Sequence, residues 1–203
     1  MALIFDTETS GLPNCSGLAY GDYPCYTDLN KYKCARVVEV SYIVTDDTYT
    51  AIDSADIIIK SDNFIIDNYR FHGITNEISQ KDGIPFVDFA IKFKYDLNKC
   101  NKMIAHNINF DINVLKSELY RYNLTDIIDM IDIKYIVCTM KFTKNIINIP
   151  SRNGKNVKDP NLKELYQAIT GKELTNHHTC RYDTENLHEI VKILYDTSRF
   201  NIF

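Results

Sequence analysis

A mixed α/β fold, one sheet covered by helices on both faces, is what this chain of 203 residues predicts. Strand-like segments come before any long helical pattern, short apolar strands then alternate with amphipathic stripes, and the chain closes on helices. Leu3 to Thr7 reads as the first strand. From Gly11 to about Arg36 the glycines and prolines at 11, 13, 17, 21 and 24 punctuate a polar stretch, which predicts a loop insertion over about 11–36. Val37 to Val44 and Ala51 to Lys60 read as an antiparallel hairpin turning at Asp46-Asp47-Thr48. Phe86, Phe89, Ala90, Phe93 and Leu97 lie at helical spacing. Lys102 to Ala105 is a short buried strand that feeds a helix from about Phe110 to Tyr122. A further strand falls within Ile127 to Val137. Asp159-Pro160 has the form of a helix start, an N-cap acid followed by proline, for a helix with Leu162, Leu165, Tyr166 and Ile169 on one face and Gly171 at its end. Leu187, Ile190, Val191 and Leu194 stripe a last helix that packs on the sheet.

Length favours a single domain over 1–203, large enough to bury a proper core. An apolar fraction of 45% and a charged fraction of 25% argue against disorder. The apolar N-terminal stretch ends after Phe5 and no apolar run approaches bilayer length. The expectation is therefore a soluble intracellular protein with no membrane partner, in the cytoplasm or nucleus, or in a viral factory for a viral chain. Six cysteines then remain free thiols. Cys15, Cys25 and Cys34 lack the spacing of a C-x2-C zinc pair. A net charge of −4 is unusual for a binder of polyanions, but acids clustered in a metal site would account for the excess.

Acidic side chains carry the chemistry. Residues two apart on a strand share a face, so Asp6 and Glu8 project together while Thr7 turns away. Two carboxylates so placed repel, and hard cations such as Mg²⁺ or Mn²⁺ relieve that repulsion through oxygen ligands. Asp111 falls within about a turn of a helix start, where the helix dipole favours negative charge. His178 and Asp183 are five apart, about 140° around a continuous helix, so they converge only if His178 lies in the loop and Asp183 on the helix.

Taken together, these segments resemble a known family. Phe5-Asp6-Thr7-Glu8-Thr9-Ser10-Gly11-Leu12, then Ala105-His106-Asn107 with Phe110-Asp111, then His178-x4-Asp183 are similar to the three exonuclease motifs, in order, of the DEDDh (DnaQ-like) 3′→5′ exonucleases. Val38-Glu39-Val40, Phe71-His72-Gly73-Ile74-Thr75-Asn76-Glu77 and Leu162 to Tyr166 resemble further family segments. The likeness runs from Leu3 to about Leu194. It implies an RNase H-like five-stranded sheet of order 3-2-1-4-5 with strand 2 antiparallel. It also implies Asp6, Glu8, Asp111 and Asp183 as ligands of two Mg²⁺ or Mn²⁺ ions and His178 as general base. Thr7, Thr9, Leu12, His106, Asn107 and Phe110 become the expected substrate contacts. Phosphodiester hydrolysis asks for the same parts: two metal ions about 3.5–4 Å apart supply a nucleophile and relieve charge, and a histidine of pKa about 6.5 takes the proton.

Lys141, Lys144, Arg152, Lys155 and Lys158 have no acid among them. They form an expected basic loop over about 141–160, whose Arg152 and Lys155 suit a phosphate backbone. Cys180, where many relatives carry alanine, is expected as an exposed thiol beside the metals. The expected partners are 3′ ends of single-stranded DNA or RNA, with a DNA polymerase or a replication or repair complex as a further candidate. DNA is slightly favoured as the substrate, because the segment around Tyr26-Thr27-Asp28-Leu29 resembles the insertion of proofreading-subunit-like members, while RNA 3′-end trimming and a silent nucleic-acid-binding or polymerase-associated module remain open at this point.

Overall fold

The computed structural model describes residues 1–174 and 179–199. Its strands are β1 (Ala2–Thr9), β2 (Val37–Thr45), β3 (Ala51–Ile58), β4 (Lys102–Ala105) and β5 (Tyr135–Cys138), and they form one sheet in the order β3-β2-β1-β4-β5. β2 pairs antiparallel with both β1 and β3, whereas β4 and β5 run parallel to β1. The expected order and the antiparallel second strand are borne out. Among the described residues the helices are α1 (Asn76–Asp82), α2 (Phe86–Lys99), α3 (Ile108–Arg121), α4 (Thr125–Asp132), α5 (Thr139–Ile147), α6 (Leu162–Thr170) and α7 (Cys180–Asp196).

β1 is central because both of its faces are apolar. Leu3 and Phe5 pack with Phe89 and Phe93 of α2, Leu115 of α3 and Ile128 of α4. Ala2 and Ile4 pack on the other face with Leu165 of α6 and Leu187 and Val191 of α7. Each large apolar side chain buried this way contributes about 1.5–3 kcal/mol. A one-residue slip would exchange the two sets, so the register is held firmly. β3 forms an outer edge, where Asp53 and Asp56 discourage pairing with another chain.

The insertion at 11–36 is a packed segment. Tyr32 is fully buried and its hydroxyl donates to the Pro24 carbonyl at 2.7 Å. Tyr26 meets the Tyr120 ring edge-on at 6.1 Å and lies under the Lys116 ammonium at 5.3 Å. At Gly11 a Cβ would stand 2.7 Å from the Cys34 carbonyl oxygen, so only glycine lets the two backbones approach.

Two expectations need correction. The supposed basic loop begins as a helix, α5, and only then becomes irregular up to α6, closed by a bridge between Pro150 and Val157. The strand expected within Ile127 to Val137 is borne out as β5 at the end of that segment, after the helix α4. The sixth helix is capped by Asn161, not Asp159. The Asn161 side chain accepts from the Glu164 amide at 2.8 Å while the Glu164 carboxylate accepts from the Asn161 amide at 2.9 Å, a reciprocal capping box. Asp159 is occupied elsewhere, between Lys141 at 2.7 Å and Lys144 at 3.0 Å. Asn161→Ala is therefore expected to cost about 1 kcal/mol in urea unfolding, and Asp159→Ala less. The reverse ranking would restore Asp159 as the cap.

Candidate active site

At the carboxyl end of β1 the side chains of Asp6, Glu8 and Asp183 converge, with one ligand oxygen from each lying within 4.8 Å of the others. The pleat of β1 turns Asp6 and Glu8 toward α7. Thr179 caps α7 by accepting from the Tyr182 amide at 3.4 Å, and Asp183 sits in the first turn. Two anchors flank that acid. Cys180 donates its thiol hydrogen to the Asp6 carbonyl at 2.9 Å and accepts from the Ser41 amide at 3.1 Å. Thr184 donates to the Ser41 carbonyl at 3.3 Å. The expected exposed thiol is thus a correction: Cys180 is wholly buried, and burial pushes its thiol well above the usual range.

Asp111 arrives from the opposite side of the sheet. The turn from β4 into α3 passes through Asn107 in the left-handed conformation, φ 65°, which asparagine tolerates better than most residues. Asp111 then falls in the first helical turn, buried, and one of its oxygens accepts from both the Thr7 amide at 3.1 Å and the Thr7 hydroxyl at 2.8 Å. Thr7 was expected to touch substrate. Its position on the α3 side of the strand makes it the residue that aims Asp111.

Electrostatics test whether cations fit here. Burial, then the charges of Asp111, Glu8 and Asp183, raise Asp6 well above the usual carboxylate range. Burial, then Asp183 and Asp111, raise Glu8 to about 7. Burial raises Asp111 to about 7 against the opposing hydrogen bonds from Thr7. Glu39, paired with Glu8 on the neighbouring strand, is pushed up to about 8 by burial and by the charges of Asp56 and Glu8. A set of hard oxygen donors that resist ionisation for want of counter-charge fits Mg²⁺ or Mn²⁺.

The other expected contacts are distributed unevenly. Leu12 is 74% exposed beside the acids' strand, so core packing does not explain it. Phe110 packs edge-on to Tyr23 of the insertion at 5.9 Å, and Asn107 donates to the Tyr23 hydroxyl at 3.3 Å. The Thr9 hydroxyl turns inward and donates to the Gly11 carbonyl at 2.7 Å. Both ring nitrogens of His106 are engaged within the protein, Nδ1 with the Thr139 hydroxyl at 3.1 Å and Nε2 with the Pro160 carbonyl at 3.0 Å. Burial lowers this imidazole to about 4, so His106 joins β4 to α5 as a neutral ring. Arg152 and Lys155 lie exposed in the 148–161 segment and no contact ties them to the acids. His178 lies outside the described residues.

Sequence reasoning missed Tyr23, which sits in an irregular insertion with no periodicity, and the support behind Thr9. The Ile74 amide donates to His72 Nδ1 at 3.2 Å, which leaves Nε2 to donate to the Asn68 Oδ1 at 3.2 Å. Asn68 then donates to the Thr9 carbonyl at 2.8 Å. Only the histidine, within the His72-Gly73-Ile74-Thr75 element, was visible beforehand.

A mixed sheet with acids gathered at the carboxyl end of its central strand defines a hydrolase class that works through carboxylate-bound metal ions. The family model described as an exonuclease matches residues 3–191, and the chain belongs to that family. The expected enzyme class, an exonuclease acting on phosphodiester bonds, is borne out. No curated protein matches by sequence. Among solved structures, exonuclease X in complex with 5′-overhanging duplex DNA aligns with a TM-score of 0.62 at 18% identity, over 99% of this chain and 95% of that one. Escherichia coli exonuclease I in complex with a dA16 oligonucleotide gives 0.70 at 16% identity, over 96% of this chain and 40% of that one. A moderately thermophilic exonuclease I from Methylocaldum szegediense gives 0.68 at 15%, over 96% and 40%. At these identities the likeness establishes a shared fold, and the chain spans about 40% of the length of the exonuclease I proteins.

Two outcomes follow from the site. Acids whose folded pKa is raised stabilise the fold fully below their unfolded values of about 4, and that stability is lost as pH rises through about 7. In EDTA the melting temperature is therefore expected to fall between pH 5 and 8. The gain on adding Mn²⁺ should grow over the same interval, and a pH-independent gain would contradict the cluster. Thr7→Val keeps the shape but removes the hydroxyl donor. Titration calorimetry with Mn²⁺ should show affinity about 10-fold weaker, the usual cost of losing a hydrogen bond behind a ligand.

Proposed function

We propose that this chain is a metal-dependent 3′→5′ exonuclease that removes nucleoside 5′-monophosphates from single-stranded 3′ ends, with DNA as the preferred substrate. The observation that carries the reading is the convergence of Asp6, Glu8 and Asp183 within 4.8 Å in a chain of the exonuclease family. Asp6, Glu8, Asp183 and, from its Thr7-held position, Asp111 hold two Mg²⁺ or Mn²⁺ ions. When bound, these supply a nucleophile at neutral pH and offset charge on the phosphate. His178 takes the proton from the attacking water, a role resting on its place five residues before Asp183. Leu12 presents an exposed apolar side chain to the terminal bases, and Phe110 with Tyr23 walls the other side. Arg152 and Lys155 attract the backbone through charge alone. The preference for DNA draws support from the DNA held by the exonuclease X and exonuclease I complexes.

A 5′-labelled oligodeoxynucleotide incubated with Mn²⁺ should give a descending ladder that EDTA abolishes, and Asp6→Asn or Asp183→Asn should remove it while folding is retained. Full activity in either variant would sink the assignment. His178→Ala should lower turnover by about 10²–10⁴-fold, the range for general base catalysis, with Mn²⁺ binding kept. A matched RNA oligonucleotide degraded faster than DNA would make the chain an RNA-trimming enzyme.

A further inference from the structure

A second cavity, of about 770 Å³, opens at the carboxyl end of α3. Lys33, Arg36, Phe64, Arg121 and Tyr122 line it, and it shares no residue with the carboxylate cluster. Its floor holds two guanidiniums beside one carboxylate. Arg36 donates through Nε and Nη2 to the two oxygens of Glu118, the second contact at 3.1 Å, with the side chains only 8% and 3% exposed. The carbon of the same guanidinium lies over the Phe64 ring, 4.4 Å from its centroid. Arg121 is left outside this pairing. Its Nε is 3.7 Å from Glu118, beyond hydrogen-bond reach, and its buried Nε and Nη2 have no hydrogen-bond partner among the described residues. One carboxylate thus faces two guanidiniums that cannot shed their protons. Arg121, a quarter exposed and only loosely paired with Glu118, keeps hydrogen-bonding capacity to spare, and a guanidinium fork matches the oxygens of a phosphate.

We propose that this cavity is a phosphate site that takes a nucleotide, separate from the cleavage centre. The phosphate bonds to Arg121, with Lys33 adding charge from the rim. Asp62 and Asp67, the acids that also line the cavity, would repel a bare polyanion. They suit the hydroxyls of a sugar or the amino groups of a base, which favours a nucleotide. A cavity of this size falls within the usual 300–1,000 Å³ of small-ligand sites. The phosphate could belong to a free mononucleotide or to a strand held away from the cleaved end, and the chemistry at Arg121 is the same for both. The site stands whether or not the chain cleaves.

The test is a thermal melt in EDTA, where no cleavage occurs, with AMP or a dT4 oligonucleotide against a chloride control of equal ionic strength. A ligand at roughly ten times its Kd should raise the melting temperature by about 3–6 °C. Arg121→Met should abolish that shift while the variant still melts cooperatively in the chloride control. A shift from AMP alone identifies a free nucleotide, and a larger one from dT4 identifies a strand; either supports the site. No shift beyond chloride in the wild type overturns it. So does a shift that survives Arg121→Met, or one lost in Arg152→Ala instead. Should Arg121→Met fail to fold, exposed Lys33→Ala decides, and a Kd for AMP unchanged from the wild type overturns the proposal.

Discussion

The double-sided burial of β1 is the constraint on which the rest depends. Leu3 and Phe5 are committed to one core and Ala2 and Ile4 to the other, so the strand can neither slip nor rotate. Everything after Phe5 inherits that phase. Asp6 and Glu8 must face α7, and Thr7 must face α3. The acids meet because the strand carrying two of them is the best-held element of the fold.

That arrangement is electrostatically expensive, and the surrounding residues limit the cost without removing it. Thr7 supplies two donors to Asp111, while Cys180 and Thr184 hold the start of α7 against β1 and β2 through backbone groups. Burial and the neighbouring acids raise Glu39 as well, so this nearby fifth acid is also biased toward its neutral form. What remains is repulsion among Asp6, Glu8, Asp111 and Asp183, the condition under which bound cations strengthen the fold they complete.

Around this centre the polar side chains are used mostly as struts. His106 ties β4 to α5 and to the approach of α6, and His72 acts through Asn68 on the Thr9 carbonyl. Neither ring is available to a ligand while these bonds persist. The insertion at 11–36 contributes Tyr23 to the rim beside Phe110, so a segment that looks irregular in sequence shapes the approach to the acids.

Alternation and helical stripes determined β1, β2, β4, α2 and α7 in advance, because burial imposes its period directly on the residue order. The acids at 6, 8, 111 and 183 were legible for a related reason: each sits at a strand end or in a first helical turn, and those places have local signatures. α1 is short, α5 turns two polar residues, Thr139 and Thr143, inward, and the α6 cap went to Asn161 because lysines from α5 occupy Asp159. Only tertiary structure could decide these matters. It alone also decided that Thr7 aims Asp111, that Cys180 is sealed rather than exposed, and that two Arg121 nitrogens find no hydrogen-bond partner among the described residues. Each depends on which partner, distant in sequence, arrives within hydrogen-bond distance, and no local pattern encodes that.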